Sequence, residues 1–296
     1  MHQTYNSRVG QISLDFGQIS GSADLVLHSH LKRATMKCAM KLKILTYNIH
    51  KGFDWGKKNY FLEEIKKLIK TSKANLVFLQ EVVGESNKYK RKGLIDKQFE
   101  FIAESVWTHY SYAQNAVHDH GHHGNLILSE FPIASTKNFN ISTNKFEKRG
   151  LLVCKITLPN KPLSKVAHKA PKYLHVICAH LDLLSRGRQK QYQMLKDLID
   201  TLDLSETDPL IIAGDFNDWN KEANLVLEND LQMTEVHKSH YGLFAKTFPA
   251  FLPVLSLDRI YVRNMKIKNS YVISKTSKNH FSDHLPLFCE VELGET

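Results

Sequence analysis

The feature that most constrains the fold is an apolar run that stops abruptly at polar residues. Residues 210–213 read Leu-Ile-Ile-Ala and are followed by Gly214, Asp215, Phe216 and Asn217. A short continuous apolar run with such a boundary is typical of a strand buried on both faces. The pattern therefore places a carboxylate and a carboxamide at the end of a buried strand, where α/β proteins carry binding and catalytic groups.

Four other hydrophobic runs also end in polar or imidazole residues. In chain order these ends carry Asn48 with His50, then Glu81, then His180, and finally Asp283 with His284. Together the ends supply many oxygen ligands and several imidazoles. Mg²⁺ and Mn²⁺ prefer carboxylate, carbonyl and water oxygens, and Mg²⁺ commonly binds one or two carboxylates together with substrate phosphates. The set predicts a phosphoryl-transfer site that uses Mg²⁺ or Mn²⁺.

The order of these motifs and the residues within them resemble the endonuclease/exonuclease/phosphatase superfamily over residues 41–293. The chain resembles a small bacterial-type member of that superfamily. That superfamily includes pancreatic-type DNase, AP endonucleases, bacterial sphingomyelinases, inositol polyphosphate phosphatases and deadenylases. The resemblance implies an α/β fold of the four-layer α/β/β/α type, in which two packed mixed sheets are flanked by helices. It also implies a single domain over residues 41–296.

The hydrophobic pattern is compatible with that architecture. Apolar residues at helical spacing predict helices over residues 60–71, 98–107 and 188–202. Strands are predicted over 43–48, 76–80, 125–128, 151–158, 173–179, 210–213, 259–262, 271–273 and 285–291. Short strands interrupted by a few helices indicate two packed sheets with helices outside, and residues 159–172 are predicted to form an exposed connection.

Composition narrows the classes of protein to which the chain can belong. The chain has 296 residues and a hydrophobic content of 42%, enough for a substantial core. No apolar stretch approaches the roughly 20 residues that a membrane-spanning helix needs. Residues 1–40 lack the pattern of a secretory signal, and we interpret them as an unstructured extension or a wrongly assigned start. A cytoplasmic location is expected.

The cysteines favour the same compartment. Cys38, Cys154, Cys178 and Cys289 show no Cys-x-x-Cys spacing, and the last three fall within apolar runs. Buried free thiols in a reducing cytoplasm explain this distribution.

Glu81 is the first candidate for a metal ligand. A carboxylate at the end of a buried strand needs a cation or hydrogen-bond donors to offset its desolvation, although a surface salt bridge is the alternative. The resemblance implies that Glu81 binds the metal directly, that Asn48 coordinates or orients the same ion and that Asp283 lies near it. In isolation, Asn48 fits an Asx turn equally well.

The resemblance also assigns catalytic roles. It implies that Asp215 and Asn217 position or activate the nucleophilic water, although a helix cap or tight turn explains isolated copies of their sequence. His284 is expected to contact the scissile phosphate, and Asp258 to hydrogen-bond to His284 and favour its imidazolium form. His180 is expected to serve as general acid or to bind a phosphate oxygen. The sequence does not decide whether Asp215 or His284 is the general base that removes a proton from the water.

Two positions distinguish branches of the superfamily. AP endonucleases usually carry a Tyr-x-Pro-Asn sequence where this chain has His180 within Ala-His-Leu, and an aspartate where it has His50. Both differences disfavour an abasic-site nuclease and favour the DNase, sphingomyelinase and phosphatase branches.

Four residues are candidates for binding substrate phosphate, namely His50, His122, Asn125 and Arg149. The resemblance supports these positions, and for Arg149 an ion pair or strand cap is the alternative. Other histidines near His122 raise the question of zinc. Their short spacing within a glycine-containing loop and the lack of a nearby cysteine argue against a zinc site.

The substrate class is open. A net charge of +10 and a basic run over residues 88–97 favour nucleic acid, although charge runs are commonly solvated loops. The alternative is a phosphodiesterase or phosphatase acting on a phospholipid or phosphorylated headgroup at an anionic membrane surface. The apolar segment 248–255 could dip into lipid, but we expect it to pack under the active site.

A third hypothesis is a catalytically dead binding module. It predicts the loss of at least one central residue, and the central residues of the motifs are all present. The leading hypothesis is therefore a metal-dependent nuclease that acts by in-line attack of water, as a monomer without an obligate protein partner.

Overall fold

The computed structural model describes residues 40–87, 93–104, 106–145, 148–159, 172–202, 204–205, 207–274 and 280–293. Their strands are β1 (Met40–Asn48), β2 (Leu76–Ser86), β3 (His109–His118), β4 (Gly121–Ser129), β5 (Ile133–Asn140), β6 (Gly150–Thr157), β7 (Tyr173–His180), β8 (Leu210–Asp215), β9 (Thr234–Glu235), β10 (Asp258–Arg263), β11 (Lys266–Val272) and β12 (Leu287–Leu293). Their α-helices are α1 (Leu62–Ser72), α2 (Gln98–Ala103), α3 (Ser185–Thr201) and α4 (Val236–Tyr241).

The strands form two six-stranded sheets with the same pattern of pairing. Sheet one has the order β11-β12-β1-β2-β4-β3, and sheet two has the order β5-β6-β7-β8-β10-β9. In each sheet the central pair is parallel, β1 with β2 and β7 with β8, whereas the flanking pairs are antiparallel. The carboxyl ends of each parallel pair therefore lie together at one edge of their sheet.

The core lies between the sheets and on both outer faces. Side chains of both sheets, such as Phe78 and Val176, form one buried cluster between them. On the outer side of sheet one, Leu45 and Val77 pack with Ile65 of α1. The outer side of sheet two packs in the same way with α3. This arrangement confirms the predicted α/β/β/α sandwich.

The helices α1 and α3 follow the predicted periodicity. In α1, Leu62, Ile65, Leu68 and Ile69 are buried, as expected for an apolar stripe at helical spacing. The helix ends at Lys73, which adopts a left-handed conformation with φ of 54°. The helix predicted over residues 98–107 is shorter and ends at Ala103.

Two edge strands lack the apolar signal that marks the others. Most residues of β5 are exposed, and β3 alternates between buried and exposed positions. Because the predicted strands rested on buried apolar runs, these polar edge strands were not predicted. Edge strands are commonly polar, since they border solvent and must avoid pairing with other chains.

Other predictions have mixed outcomes. Cys154, Cys178 and Cys289 are buried and free, as predicted. None of the helices in the described ranges is long and apolar enough to cross a membrane. Residues 1–39 with Cys38, most of the basic run at 88–92, and the connection at 160–171 lie outside the described residues.

Candidate active site

Asp215, the last residue of β8, stands at the centre of the site and is buried. Its Oδ2 accepts a hydrogen bond from Asn48 Nδ2 at 3.0 Å, which joins the ends of β8 and β1. Its Oδ1 accepts one from the backbone N of Asn217 at 2.9 Å, while Asn217 Nδ2 donates to the Leu181 carbonyl at 3.0 Å. The turn expected for Gly-Asp-x-Asn is thus present, and it fixes the carboxylate at the same time.

His284 lies between two buried carboxylates. Its Nδ1 is 2.7 Å from Asp258 Oδ2, and its Nε2 is 3.7 Å from Asp215 Oδ2. Burial by itself lowers the pKa of His284, but the charges of Asp258 and Asp215 outweigh it and raise that pKa to about 10. His284 is therefore an imidazolium at neutral pH, with Nε2 directed at the carboxylate that ends β8.

Glu81 is positioned by a bulge rather than by the end of a strand. β2 was predicted to stop at Gln80 but continues to Ser86, with a shift of register between Leu79 and Val82. Within this bulge Glu81 has φ of 56°, a conformation that non-glycine residues rarely adopt. Irregularities of this kind commonly re-aim a side chain next to an active site.

The Glu81 carboxylate pairs with the ammonium group of Lys51. Burial alone raises the pKa of Glu81, but Lys51 and the neighbouring His180 and His123 outweigh it and hold that pKa well below its usual range. Lys51 lies in the turn His50–Gly52 that follows β1. The carboxylate therefore stays ionised and faces the Lys51 ammonium group.

Asp283 lies on the same side of the site. Its Oδ2 is 3.5 Å from His50 Nδ1, and its Oδ1 accepts a hydrogen bond from Ser282 Oγ at 3.2 Å. The backbone N of His50 donates to Asn48 Oδ1 at 3.0 Å. Burial raises the pKa of Asp283, the charge of Glu81 adds to that rise, and burial lowers the pKa of His50.

Asn48, Glu81 and Asp283 offer a set of oxygen donors suited to a hard cation. The Cα atoms of Asn48 and Gln80 pair across β1 and β2, so Glu81 follows directly beside Asn48. Two carboxylates near each other favour a bound cation, because their mutual repulsion is costly in a partly buried place. Lys51 already supplies one positive charge to Glu81. The donor chemistry fits Mg²⁺ or Mn²⁺.

A different group of metal-type ligands is more closely spaced. Ligand atoms of Asp215, Asp258 and His284 all lie within 4.8 Å of one another. However, His284 Nδ1 is already engaged with Asp258 Oδ2 at 2.7 Å. Both oxygens of Asp215 likewise accept hydrogen bonds, from Asn48 and from the backbone N of Asn217. We therefore interpret this trio as a hydrogen-bonded network, separate from the oxygen donors around Glu81.

His180 ends β7 beside Asp215. Its Nε2 is 3.6 Å from Asp215 Oδ2. Burial lowers the pKa of His180, the charge of Arg149 adds to this effect, and the value falls to about 3. The ring is therefore neutral at pH 7 and can donate an N–H hydrogen bond. Arg149 is held by a hydrogen bond from its Nε to the Leu181 carbonyl at 3.1 Å.

Two of the residues predicted to bind phosphate, His122 and Asn125, contact other groups of the protein. Both ring nitrogens of His122 lie near side chains of β3, Tyr112 Oη at 3.1 Å and Gln114 Nε2 at 3.2 Å. Asn125 Nδ2 donates to the carbonyls of Gly150 and Cys178 at 3.0 and 3.2 Å. These contacts occupy the donors of Asn125 in linking the two sheets, so it has none left for a phosphate.

His123 and Lys51 are the site residues that the sequence analysis missed. Burial lowers the pKa of His123 to about 3, and the charges of Lys51 and Glu81 also act on it. Lys51 and His123 line the same pocket. The only signals were their positions, directly after His50 and His122. Among the described residues, the histidines of the β3–β4 hairpin do not belong to a group of three closely spaced metal-type ligand atoms.

The apolar segment 248–255 was expected to pack under the site, and most of it does not. Phe248 contacts His284, with ring centroids 4.9 Å apart, and Ala250 is buried. Phe251, Leu252 and Val254 are instead 59%, 62% and 54% exposed. The segment therefore borders the site and presents apolar side chains to solvent.

Comparison with known proteins agrees with this geometry. Residues 45–284 match the Endonuclease/Exonuclease/phosphatase family. The chain is 37% identical over 254 residues to the Escherichia coli K12 protein named Uncharacterized protein YbhP, a match that covers 85% of this chain and 96% of that protein. The chain thus belongs to the Endonuclease/Exonuclease/phosphatase family, whose members hydrolyse phosphoester bonds and are generally dependent on divalent metals.

Solved structures share the fold at low sequence identity. A family protein from Beutenbergia cavernae has a TM-score of 0.67 and 17% identity, covering 86% of this chain and 72% of its own. Danio rerio TDP2, complexed with a single strand DNA product, has a TM-score of 0.59 and 15% identity, covering 85% and 98%. The Bacteroides thetaiotaomicron mannosyl-6-phosphatase Bt3783 has a TM-score of 0.59 and 16% identity, covering 84% and 99%. These likenesses support the fold.

Proposed function

We propose that this protein is a phosphodiesterase that depends on Mg²⁺ or Mn²⁺ and cleaves its substrate by in-line attack of water. One observation carries the proposal. The oxygen donors around Glu81 stand directly beside the network of Asp215, Asp258 and His284, and the Asn48–Asp215 hydrogen bond of 3.0 Å connects the two groups. A phosphate between them would meet the cation site on one side and hydrogen-bonding groups on the other.

Asn48, Glu81 and Asp283 would hold the metal, which when bound supplies Lewis-acid polarisation of a phosphoryl oxygen. Asp215 is the candidate general base, because its two oxygens are fixed by Asn48 and Asn217 and are directed into the site. A base needs to lie within hydrogen-bond reach of the water that it orients, and a fixed carboxylate satisfies that requirement.

His284 then acts as a donor rather than as the base. Because Asp258 and Asp215 keep its ring protonated, His284 can offset negative charge on the phosphate through Nε2–H. His180 is neutral, so we assign it a hydrogen bond to a phosphate oxygen. Arg149, whose charge acts on His180, would add positive charge on the same side.

Two substrate classes are supported by different observations. Nucleic acid is favoured by the net charge of +10 and by the DNA complex of the TDP2 neighbour. A phospholipid or other membrane phosphodiester is favoured by the exposed side chains of Phe251, Leu252 and Val254, in the segment whose Phe248 contacts His284. Because that surface directly borders the site, it favours the phospholipid substrate over nucleic acid.

The test is hydrolysis by the purified protein with Mg²⁺, Mn²⁺ or EDTA. Substrates are plasmid DNA, single-stranded DNA, RNA, phospholipid vesicles and a soluble diester such as bis(p-nitrophenyl) phosphate. We expect metal-dependent hydrolysis that His284→Ala abolishes and that the exposed control Glu63→Gln on α1 retains. Absence of metal-dependent hydrolysis with every substrate would contradict the proposed function.

A further inference from the structure

The site is bordered by a continuous apolar surface contributed by separate loops. Trp55, from the loop that precedes α1, is 52% exposed. Its ring lies 5.3 Å from that of Phe248 and 5.4 Å from that of Phe251. With Leu252 and Val254 these side chains form what we call the apolar rim, defined as Trp55, Phe251, Leu252 and Val254. The rim is contiguous with the catalytic network, because Phe248 also contacts His284.

A lysine-lined cavity adjoins the rim. It has a volume of about 410 Å³ and is lined by Trp219, Leu243, Val254 and Leu255 together with Lys221, Lys238 and Lys246. Val254 belongs to both surfaces. Lys238 is paired with Glu228 at 2.6 Å, whereas Lys221 and Lys246 are exposed at the edge of the cavity. No acidic side chain lines this cavity in the described part of the chain.

We propose that the apolar rim and the lysine-lined cavity dock the protein onto an anionic phospholipid bilayer, with the active site facing the lipid headgroups. Exposed Trp, Phe and Leu side chains next to lysines are the composition of interfacial membrane anchors. Trp55 and Phe251 could stack on bases, but Leu252 and Val254 are exposed aliphatic side chains that offer no stacking face and suit insertion into lipid, which favours a bilayer over single-stranded nucleic acid. The lysines match the charge of anionic headgroups.

Docking on this surface would give the enzyme access to a phosphodiester at the membrane plane. That substrate assignment rests on the proposed phosphodiesterase activity, but membrane binding does not. Binding and hydrolysis can therefore be measured separately. An exposed apolar patch of this kind carries a solubility cost unless it has a ligand, which is a physical reason to expect one.

The primary experiment is co-sedimentation with vesicles of phosphatidylcholine alone or with a third phosphatidylglycerol. We expect the intact protein to bind the anionic vesicles and to bind the zwitterionic ones at least about tenfold more weakly. The double variant Phe251→Ser and Leu252→Ser should weaken binding at least about tenfold, because it removes two inserted side chains. Met194→Ser is the control, since Met194 is also exposed (39%) but lies on α3, which contributes nothing to the rim.

A charge-matched pair tests the cavity. Lys221→Gln with Lys246→Gln should weaken binding about tenfold and reduce its salt dependence. Lys67→Gln with Lys70→Gln makes the same change of charge on the exposed side of α1 and should leave binding within about twofold, because those lysines lie away from the proposed contact. Thermal melts of each variant establish that it is folded.

Three results would overturn the docking surface. The first is absence of vesicle binding by the intact protein, and the second is equal loss of binding in the test and control variants. The third is that the rim variants weaken binding to a single-stranded oligonucleotide, or weaken self-association measured by light scattering, instead of weakening vesicle binding.

Hydrolysis of the soluble diester separates this failure from failure of the proposed function. Rim variants should retain that hydrolysis, since they do not touch the catalytic groups. Vesicle binding without any hydrolysis would support the docking surface and contradict the proposed phosphodiesterase activity. Hydrolysis without vesicle binding would support the phosphodiesterase activity and contradict the docking surface.

Discussion

The two halves of the candidate site lie at the ends of equivalent parallel strand pairs, yet they are built differently. At the end of sheet two, the side chains of Asp215 and Asp258 are at most 2% exposed, and the His284 side chain, 6% exposed, lies 2.7 Å from Asp258 and 3.7 Å from Asp215. At the end of sheet one, the side chains of Glu81 and Lys51 are 19% and 17% exposed and form an ion pair. We call these the closed half and the open half.

The difference shows which part of the chemistry the protein supplies by itself. In the closed half, the His284 ring lies between two buried carboxylates and the three side chains are positioned before a substrate arrives, which is the arrangement that electrostatic preorganisation requires. In the open half, Lys51 supplies the positive charge and the Glu81 side chain is 19% exposed. A metal ion or a phosphate can therefore exchange with groups already there.

The largest expected effect comes from neutralising the open half. Glu81→Gln keeps the size and the hydrogen-bonding oxygen but removes the charge that a cation needs. We expect the turnover of a soluble diester to fall about 10³-fold and Mn²⁺ to lose its effect on the melting temperature. Glu63→Gln on α1 is the matched control. Unchanged turnover in Glu81→Gln would show that the open half is not the metal site.

The next effect is a pH dependence of stability in the closed half. The folded-state pKa of His284, about 10, lies above its unfolded value of 6.5. Its contribution is therefore fully present below pH 6.5 and is lost as the pH rises through 10. In EDTA, the free energy of unfolding should fall with pH over this window by about 4 kcal/mol more in the native protein than in His284→Gln.

Chemical denaturation at pH 6, 8 and 10 measures this difference. Equal pH slopes for the native protein and His284→Gln would show that the ring is not held as an imidazolium. That result would reopen His284 as the general base.

A smaller effect is expected from the carboxylate behind His284. Asp258→Asn retains the shape but removes the charge that favours the imidazolium, so the pKa of His284 should fall. We expect turnover at pH 8 to drop about a hundredfold and to recover in part at pH 6. The pH profile of kcat is the decisive measurement, because a purely structural role for Asp258 would lower the profile without moving its alkaline limb.

The smallest effect tests the ion pair of the open half. If Lys51 occupies part of the place that a cation takes, Lys51→Met should tighten Mn²⁺ binding about tenfold by removing a competing positive charge. Calorimetric titration of the metal-free protein measures this affinity. Weaker Mn²⁺ binding in Lys51→Met would mean that the lysine supports the metal site instead of competing with it.

The sequence predicted the layers from local pattern, whereas the family resemblance implied the contact between Asp258 and His284 that the structure contains. Buried apolar runs marked the central strands, and the residues that end them, among them Asn48, His180 and Asp215, meet in the structure. Polar edge strands such as β5 escaped prediction, since their side chains are solvated and need no apolar pattern. The pattern of apolar residues indicates burial, and few side chains of an edge strand such as β5 are buried.

The β2–β4 pairing shows where local pattern fails. It has register shifts between Leu79 and Val82 and between Val83 and Glu85. A one-residue change of register exchanges the two faces of a strand. In this register Val83 pairs with His123, whereas Glu85 pairs with His122. Neither shift leaves a mark in the residue types, so the sequence could not choose between the two histidines.

The sequence by itself determined which chemical groups end the central strands, because strand burial follows from hydrophobic pattern and the family motifs follow from residue order. Only the tertiary structure decided how those groups are aimed and charged. The bulge at Glu81, the pairing of that carboxylate with Lys51 and the exposure of Phe251 depend on contacts between segments far apart in the chain. Burial and neighbouring charges set pKa values and orientations, and both are properties of the folded arrangement.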